Sequence, residues 1–217
     1  MKIVVISDTH EQHDKVIIPQ CDILIHCGDF SVTGKKKHIE AFLQWFSGQP
    51  AKHKIYIAGN HDLNYEKNHQ FKKEMIEKFS NLVYLENSFV EIMGLKFFGS
   101  PYTPEFMDWS FDYDRGSQFA VDLWNKISRD TDILISHGPP KNILDQCKFG
   151  HAFYPQYAGC EILRHRVEEL NLKYVLFGHI HEGYGMDPYT LAPTICVNAS
   201  TCDLSYRPNN KPVELDV

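Results

Sequence analysis

The sequence is that of an α/β protein, and three features predict it. Short apolar runs alternate with longer polar stretches along the 217 residues. The runs are mostly β-branched or aromatic and nearly continuous, as expected for strands covered on both faces. The stretches between them repeat apolar residues at three- and four-residue spacing, as expected for helices with one buried stripe. A hydrophobic share of 43% and a charged share of 23% belong to an ordinary folded protein. The expected organisation is one domain, residues 1–217, around a sizeable core.

Taken in chain order, KIVVIS (2–7) and DILIHC (22–27) read as strands. The stretch 38–47 (HIEAFLQWFS) follows as a helix, with Ile39, Phe42, Leu43 and Phe46 on one face. KIYIA (54–58) is a strand, 67–80 (KNHQFKKEMIEKFS) a helix, and LVYLEN (82–87) and LKFFG (95–99) are strands. The segment 100–116, rich in aromatics and Asp, is the longest stretch without a regular pattern. A helix over 117–128 (SQFAVDLWNKIS) leads to the strand DILIS (132–136). The helix 159–171 (GCEILRHRVEELN) buries Ile162, Leu163, Val167 and Leu170, and KYVLF (173–177) and TICVN (194–198) complete the strands. The chain shows no repeat, low-complexity tract or linker.

A formal charge of -6 offers no basic footprint for duplex nucleic acid, and the one basic run, Lys35 to Lys37, reads as a solvated lead into a helix. Bound divalent cations would reverse the local sign, so the acidic balance does not argue against a phosphate ligand. The first ten residues lack the apolar core of a signal peptide, and no run reaches the length of a membrane span. The cysteines Cys21, Cys27, Cys147, Cys160, Cys196 and Cys202 form no CxxC pair, so reduced thiols and a cytoplasmic location are expected.

The chemistry is signalled by position. Five apparent strands run directly into polar clusters: Asp8-Thr9-His10, Gly28-Asp29, Gly59-Asn60-His61-Asp62, His137-Gly138-Pro139-Pro140 and Gly178-His179-Ile180-His181-Glu182. Ligands of open α/β sheets bind beyond the carboxyl ends of strands, so these clusters can converge. Asp8 and His10, and likewise His179 and His181, are two residues apart and would project to one side of an extended strand. Carboxylate, imidazole and amide oxygen suit Mn, Fe, Zn or Mg, and no thiolate is among them. Seven such side chains are too many for one metal with an open position, but fit two sharing a carboxylate. Each motif alone is weak; five in order, each at a strand end, are not a coincidence.

On these motifs the chain resembles the calcineurin-like metallophosphoesterase superfamily, whose signature runs DxH, GDxx, GNH[DE], a histidine before prolines, and GHxH. The match runs from Asp8 to His181, with Gly138 between His137 and the prolines as a minor departure. GSPYTPEF, SHGPPKNILD, FGHIHEGYG and VNASTCDLSYRP resemble the metallophosphoesterase domain-containing branch, which carries no large cap. The resemblance implies a two-sheet sandwich flanked by helices, a four-layer αββα arrangement. It implies that Asp8, His10, Asp29 and His181 hold a first metal, and that Asn60, His137 and His179 complete a second, with Asp29 bridging. His61, not itself an expected ligand, would stand beside the second metal as a catalytic group that contacts the phosphate and protonates or stabilises the leaving oxygen, with Asp62 orienting its imidazole.

The expectation is thus a dinuclear phosphoesterase that attacks phosphorus with a hydroxide held between two divalent cations, manganese first and Fe, Zn or Mg as alternatives. Small phosphodiesters, including cyclic nucleotides, are the favoured substrates. A phosphomonoesterase or protein phosphatase, a dinucleoside polyphosphate hydrolase, a nuclease and a non-catalytic scaffold are the rival readings. His13, His26, His38, His53, His69, His151 and His165 read as filler, with a supporting role for His26 as the alternative. Asn198 and Ser200 would support the site from behind, and Glu182 would bond a ligating histidine or face water. Tyr102, Phe106 and Trp109 would pack against the core or stack a nucleobase. Oligomeric state leaves no mark in the sequence.

Overall fold

The computed structural model describes residues 1–148 and 156–217; His151 lies outside them. The first sheet contains β1 (Lys2–Ile6), β2 (Cys21–Cys27), β3 (Ala51–Ile57), β4 (Val83–Tyr84) and β13 (Val213–Asp216), in the order β13-β1-β2-β3-β4. The second contains β5 (Ser88–Ile92), β6 (Leu95–Ser100), β9 (Ile133–Ser136), β10 (Tyr174–Phe177), β11 (Gly185–Asp187) and β12 (Ile195–Asn198), in the order β11-β12-β10-β9-β6-β5. A small parallel pair joins β7 (Thr103–Pro104) to β8 (Asp112–Tyr113). The inner pairings of both sheets are parallel, and the edge strands β13, β5 and β11 are antiparallel.

Side-chain alternation sorts the strands' residues into layers. In β1, Ile3 and Val5 face the second sheet, while Val4 and Ile6 face the helices α1 (Lys36–Ser47), α2 (Leu63–Lys67) and α3 (His69–Lys78). In the second sheet, Ile133, Ile135, Leu176 and Val197 face inward. Leu134, Val175, Phe177 and Cys196 pack on α4 (Gln118–Trp124) and α5 (Glu161–Glu168). Each fully buried aliphatic chain contributes about 1.5–3 kcal/mol. The four-layer αββα sandwich is therefore the observed fold.

Helices α3, α4 and α5 sit inside the expected spans, whereas α1 starts at Lys36, within the basic run expected to lead into it, and α2 falls where no helix was expected. Both α3 and α4 are trimmed by their caps. Asn68 Oδ1 accepts from the Phe71 amide (3.0 Å) and starts α3 at His69; Ser117 Oγ accepts from the Ala120 amide (3.2 Å) and starts α4 at Gln118. Strand β4 is shorter than the run 82–87 suggested, and β7 and β8 lie inside the segment expected to be irregular. Strands β1, β2 and β3 of one sheet, and β9 and β10 of the other, end at the same edge of the sandwich. A parallel bridge between Ser7 and Ser200 links the chain after β1 to the chain after β12 at that edge.

Candidate metal centre

The turns after the strands aim the side chains. Asp8 (φ 50°), His10 (φ 41°), Asp29 (φ 58°) and His179 (φ 68°) all adopt the left-handed region, which is strained for residues with a Cβ and persists only where neighbours hold it. Here the Asp8 amide donates to the Gly28 carbonyl (2.9 Å), the His10 amide to the Asp29 carbonyl (3.1 Å), and the Thr201 amide to the Ser7 carbonyl (2.8 Å). The convergence of Asp8 with His10, and of His179 with His181, is thus real but has another cause. These residues lie beyond the strands, in left-handed turns and a short 3₁₀ turn (His181–Gly183), rather than on one face of an extended segment.

The seven expected donors come together. Asp8 Oδ1 lies 3.5 Å from His181 Nε2 and 4.0 Å from His10 Nε2. Asp29 Oδ2 lies 3.3 Å from His137 Nε2, and 3.9 Å from both His10 Nε2 and His61 Nε2. Asn60 Oδ1 is 2.9 Å from His137 Nε2. Three donor groups with all atoms within 4.8 Å of one another result: Asp8-His10-His181, Asp29-His137-His179 and His10-Asp29-His61. Asp29 belongs to two of them, as a shared carboxylate would.

This donor set fits divalent cations. The Nδ1 of His10 faces the Ser31 carbonyl (3.1 Å), that of His137 the Cys27 carbonyl (2.9 Å), and that of His181 the Asp203 carbonyl (3.1 Å). A carbonyl accepts only from Nδ1–H, so in the neutral ring each Nε2 presents its lone pair to the centre, the tautomer a ligand needs. His10 Nε2 and His181 Nε2 are 3.2 Å apart, a separation at which two lone pairs call for a positive charge between them. Electrostatics agree. Burial raises the carboxyls of Asp8 and Asp29, yet neighbouring histidines, His181 for the first and His137 and His61 for the second, hold both well below the usual range. Burial pushes His10 down to about 4 and His179 down to about 3. At His137 burial works the same way, but Asp29 and Asp8 overcome it and lift the group to about 9.

Close approach explains two glycines. A Cβ on Gly178 would fall onto the carboxylate of Asp8 and the hydroxyl of Ser7, and one on Gly59 onto the carboxylate of Asp29. Ser200 Oγ donates to Asp8 Oδ2 (3.0 Å), and the His179 amide donates to the same carboxylate (3.0 Å). Asn198 Nδ2 donates to the Ile180 carbonyl (2.8 Å), and Asn198 Oδ1 accepts from the Ser200 amide (3.0 Å), so both expected supports are in place. His26 is more than filler: it pairs with Thr9 Oγ1 (3.0 Å) and accepts from the Gly28 amide (3.2 Å), tying the first two motif turns together. Glu182 bonds no ligating histidine; its Oε1 accepts from the Lys148 amide (3.1 Å).

Asp62 corrects an expectation. It does not touch the His61 ring, whose Nδ1 is held by the Val32 carbonyl at 2.7 Å. Its buried carboxylate instead accepts from the amides of Gly59 (2.9 Å), Asp29 (3.0 Å) and Ser31 (3.0 Å) and from Ser31 Oγ (2.7 Å). Burial and then the Asp29 carboxylate push it up to about 8, against these donors. Asp62 thus clamps the Asp29 turn to the Asn60 turn. Asp62→Ala leaves three buried amides without an acceptor and is expected to cost about 3–5 kcal/mol. Urea unfolding checks this, and an unchanged midpoint would refute the clamp.

The centre opens into a cleft of about 410 Å³ whose described lining includes Asp29, Asn60, His61, His179, His181, Trp109 and Tyr206. The aromatic set divides: Trp109 stands on His61, with ring centroids 4.0 Å apart, and Phe106 lines the cleft. Tyr102 packs against Phe111 and Phe119. Tyr206, in the VNASTCDLSYRP stretch, sits on His10 with centroids 4.6 Å apart.

The family model for calcineurin-like phosphoesterase matches residues 1–183. Metallophosphoesterase domain-containing protein 1 of Homo sapiens is 34% identical over 242 aligned positions, covering 100% of this chain and 71% of the relative. The chain belongs to the calcineurin-like phosphoesterases. As a member it is a phosphoester hydrolase. Its fold is similar to that of the phosphopantetheinyl hydrolase of Mycobacterium tuberculosis, with TM-score 0.65, 15% identity, and coverage of 99% of this chain and 95% of that one. A protein of Thermus thermophilus is similarly related in fold, with TM-score 0.64, 16% identity, and coverage of 94% and 90%. In this calcineurin-like phosphoesterase, Ser200, Asp203 and Tyr206 complete the centre from beyond the matched residues.

Proposed function

We propose that this protein is a dinuclear metal-dependent phosphodiesterase acting on small diesters, cyclic nucleotides among them, as one domain over residues 1–217. The observation that carries the proposal is the position of Asp29, shared by donor groups at the floor of a cleft. Asp8, His10, Asp29 and His181 would hold one cation, and Asp29, Asn60, His137 and His179 the other. Manganese is the favoured ion, and Fe, Zn or Mg also suits this set. Two such cations supply a nucleophile from water at neutral pH and neutralise charge on the phosphoryl group.

The remaining work falls to the chain. Val32 fixes His61 through Nδ1, leaving Nε2 toward the cleft to pass a proton to the leaving oxygen. The described lining of the cleft holds no Lys or Arg. That favours the single negative charge of a diester over the doubly charged monoester, whose extra charge would lack a side-chain partner. Six buried free cysteines suit a reducing, cytoplasmic compartment.

The test uses metal-stripped protein with bis(p-nitrophenyl) phosphate and p-nitrophenyl phosphate, titrated separately with Mn, Mg and Zn. Manganese-restored turnover with the diester preferred is expected. Turnover of the monoester alone would make the protein a phosphatase, and no turnover with any of these ions would make it a scaffold.

A further inference from the structure

Two loops from distant parts of the chain place aromatic rings on the same histidine cluster. Trp109 lies against His61 at 4.0 Å, and Tyr206 lies 4.6 Å from His10, 5.8 Å from His181 and 6.4 Å from His61. Both loops use backbone that costs free energy: Met107 (φ 53°), Asp108 (φ 53°) and Phe111 (φ 56°) in the first, Tyr206 itself (φ 57°) in the second. Each is tied to a residue of the centre. The Ser110 amide donates to the Asn60 carbonyl (3.3 Å), and His181 Nδ1 donates to the Asp203 carbonyl (3.1 Å). The Asp203 carboxylate also accepts from the Ser205 amide (2.8 Å), the Arg207 amide (3.1 Å) and Asn209 Nδ2 (2.7 Å), closing the turn that presents Tyr206.

The cleft is thus polar at its floor and apolar at its mouth. Met107 is 72% exposed, Leu204 48% and Tyr206 42%, and all three line the cleft with Trp109. Exposed apolar side chains gathered around a polar centre mark a binding surface. Among the described lining residues the charged groups besides histidine are Asp29 and Glu182, so the cleft's own described walls offer a ligand no Lys or Arg; Lys148 and Arg207 line the adjoining hollow on the far side of His181 and Glu182.

We propose that Trp109 and Tyr206 form the two walls of a specificity slot for a flat, uncharged aromatic arm of the phosphodiester, with the phosphate on the floor beside Asp29. The slot rests on the phosphodiesterase assignment for its place in the reaction. Its recognition is by ring faces and edges, which prefer a planar partner to a puckered one of equal size.

The test compares diphenyl phosphate with dicyclohexyl phosphate, which carry the same charge and the same number of ring carbons. Their dissociation constants for manganese-loaded protein are measured by calorimetry, with bis(p-nitrophenyl) phosphate turnover followed in parallel. The expected result is that diphenyl phosphate binds about fivefold tighter. Trp109→Leu and Tyr206→Leu, which keep apolar bulk but remove the ring, each reduce that ratio toward one, and Tyr206→Phe preserves it. Equal affinities in the unaltered protein, or a ratio that survives both leucine substitutions, would overturn the slot. Absence of turnover with the binding preference intact would overturn the phosphodiesterase assignment and leave the slot standing.

Discussion

Asp29→Ala is expected to remove nearly all activity and to empty the centre of metal. The carboxylate is 2% exposed and is the acid common to two of the donor groups. Its Oδ2 faces His137, His10 and His61, while its Oδ1 accepts from the His61 amide at 2.9 Å. Removing it takes away the charge that would hold two cations together and frees the turn that carries His61. A fall of about 10⁴-fold in kcat/KM, or about 5.5 kcal/mol, follows if both ions depend on it. Asp29→Asn keeps the shape but loses the charge, and should behave in nearly the same way. Elemental analysis with kinetics checks this. An Asp29→Asn protein that binds two ions and turns over within tenfold of normal would show that Asp29 is not the bridge.

His61→Ala should separate chemistry from metal binding. The ring has a fixed Nδ1 partner in Val32, and its other nitrogen faces the cleft. Its loss is expected to lower kcat by about 10²–10⁴-fold while metal content stays near normal. The deficit should be smaller for a p-nitrophenyl ester than for an alkyl ester, because p-nitrophenolate leaves without a proton. The geometry also admits the opposite result, since His61 shares a donor group with His10 and Asp29. Loss of one ion in His61→Ala would make His61 a ligand, and an equal deficit on both esters would deny it the role of proton donor.

What could be read in advance followed from periodicity and order. Continuous apolar runs located the inner strands, and the Ile39-Phe42-Leu43-Phe46 stripe located α1, because burial on two faces or one leaves a strong pattern. Strands β5, β11 and β13 escaped because they are short or half-exposed edges, whose residues alternate without a continuous run. The donor positions were legible as residue types at strand ends. Strand alternation predicts their convergence, whereas left-handed turns produce it; Asp and His favour that region more than most residues do, but the bias is too weak to separate it from extended backbone at Asp8 or His10. Asp62 differs for a similar reason: its neighbour in sequence is His61, but its partners are the Gly59 amide and the amides of Asp29 and Ser31, which are distant in sequence. Tyr206 reaches the centre only through the folding of the 203–207 turn onto it, and His26 supports it through the pairing of β2 with β1, which sets it beside Thr9.

The central claim is that two metal ions share Asp29 at the ends of β1, β2, β3, β9 and β10. The most direct measurement is anomalous X-ray diffraction at the manganese edge from crystals of the manganese-loaded protein. Two peaks about 3.5–4 Å apart are predicted. One should touch Asp8, His10 and His181, the other Asn60, His137 and His179, and Asp29 should reach both. A single peak, or peaks away from these residues, would contradict it.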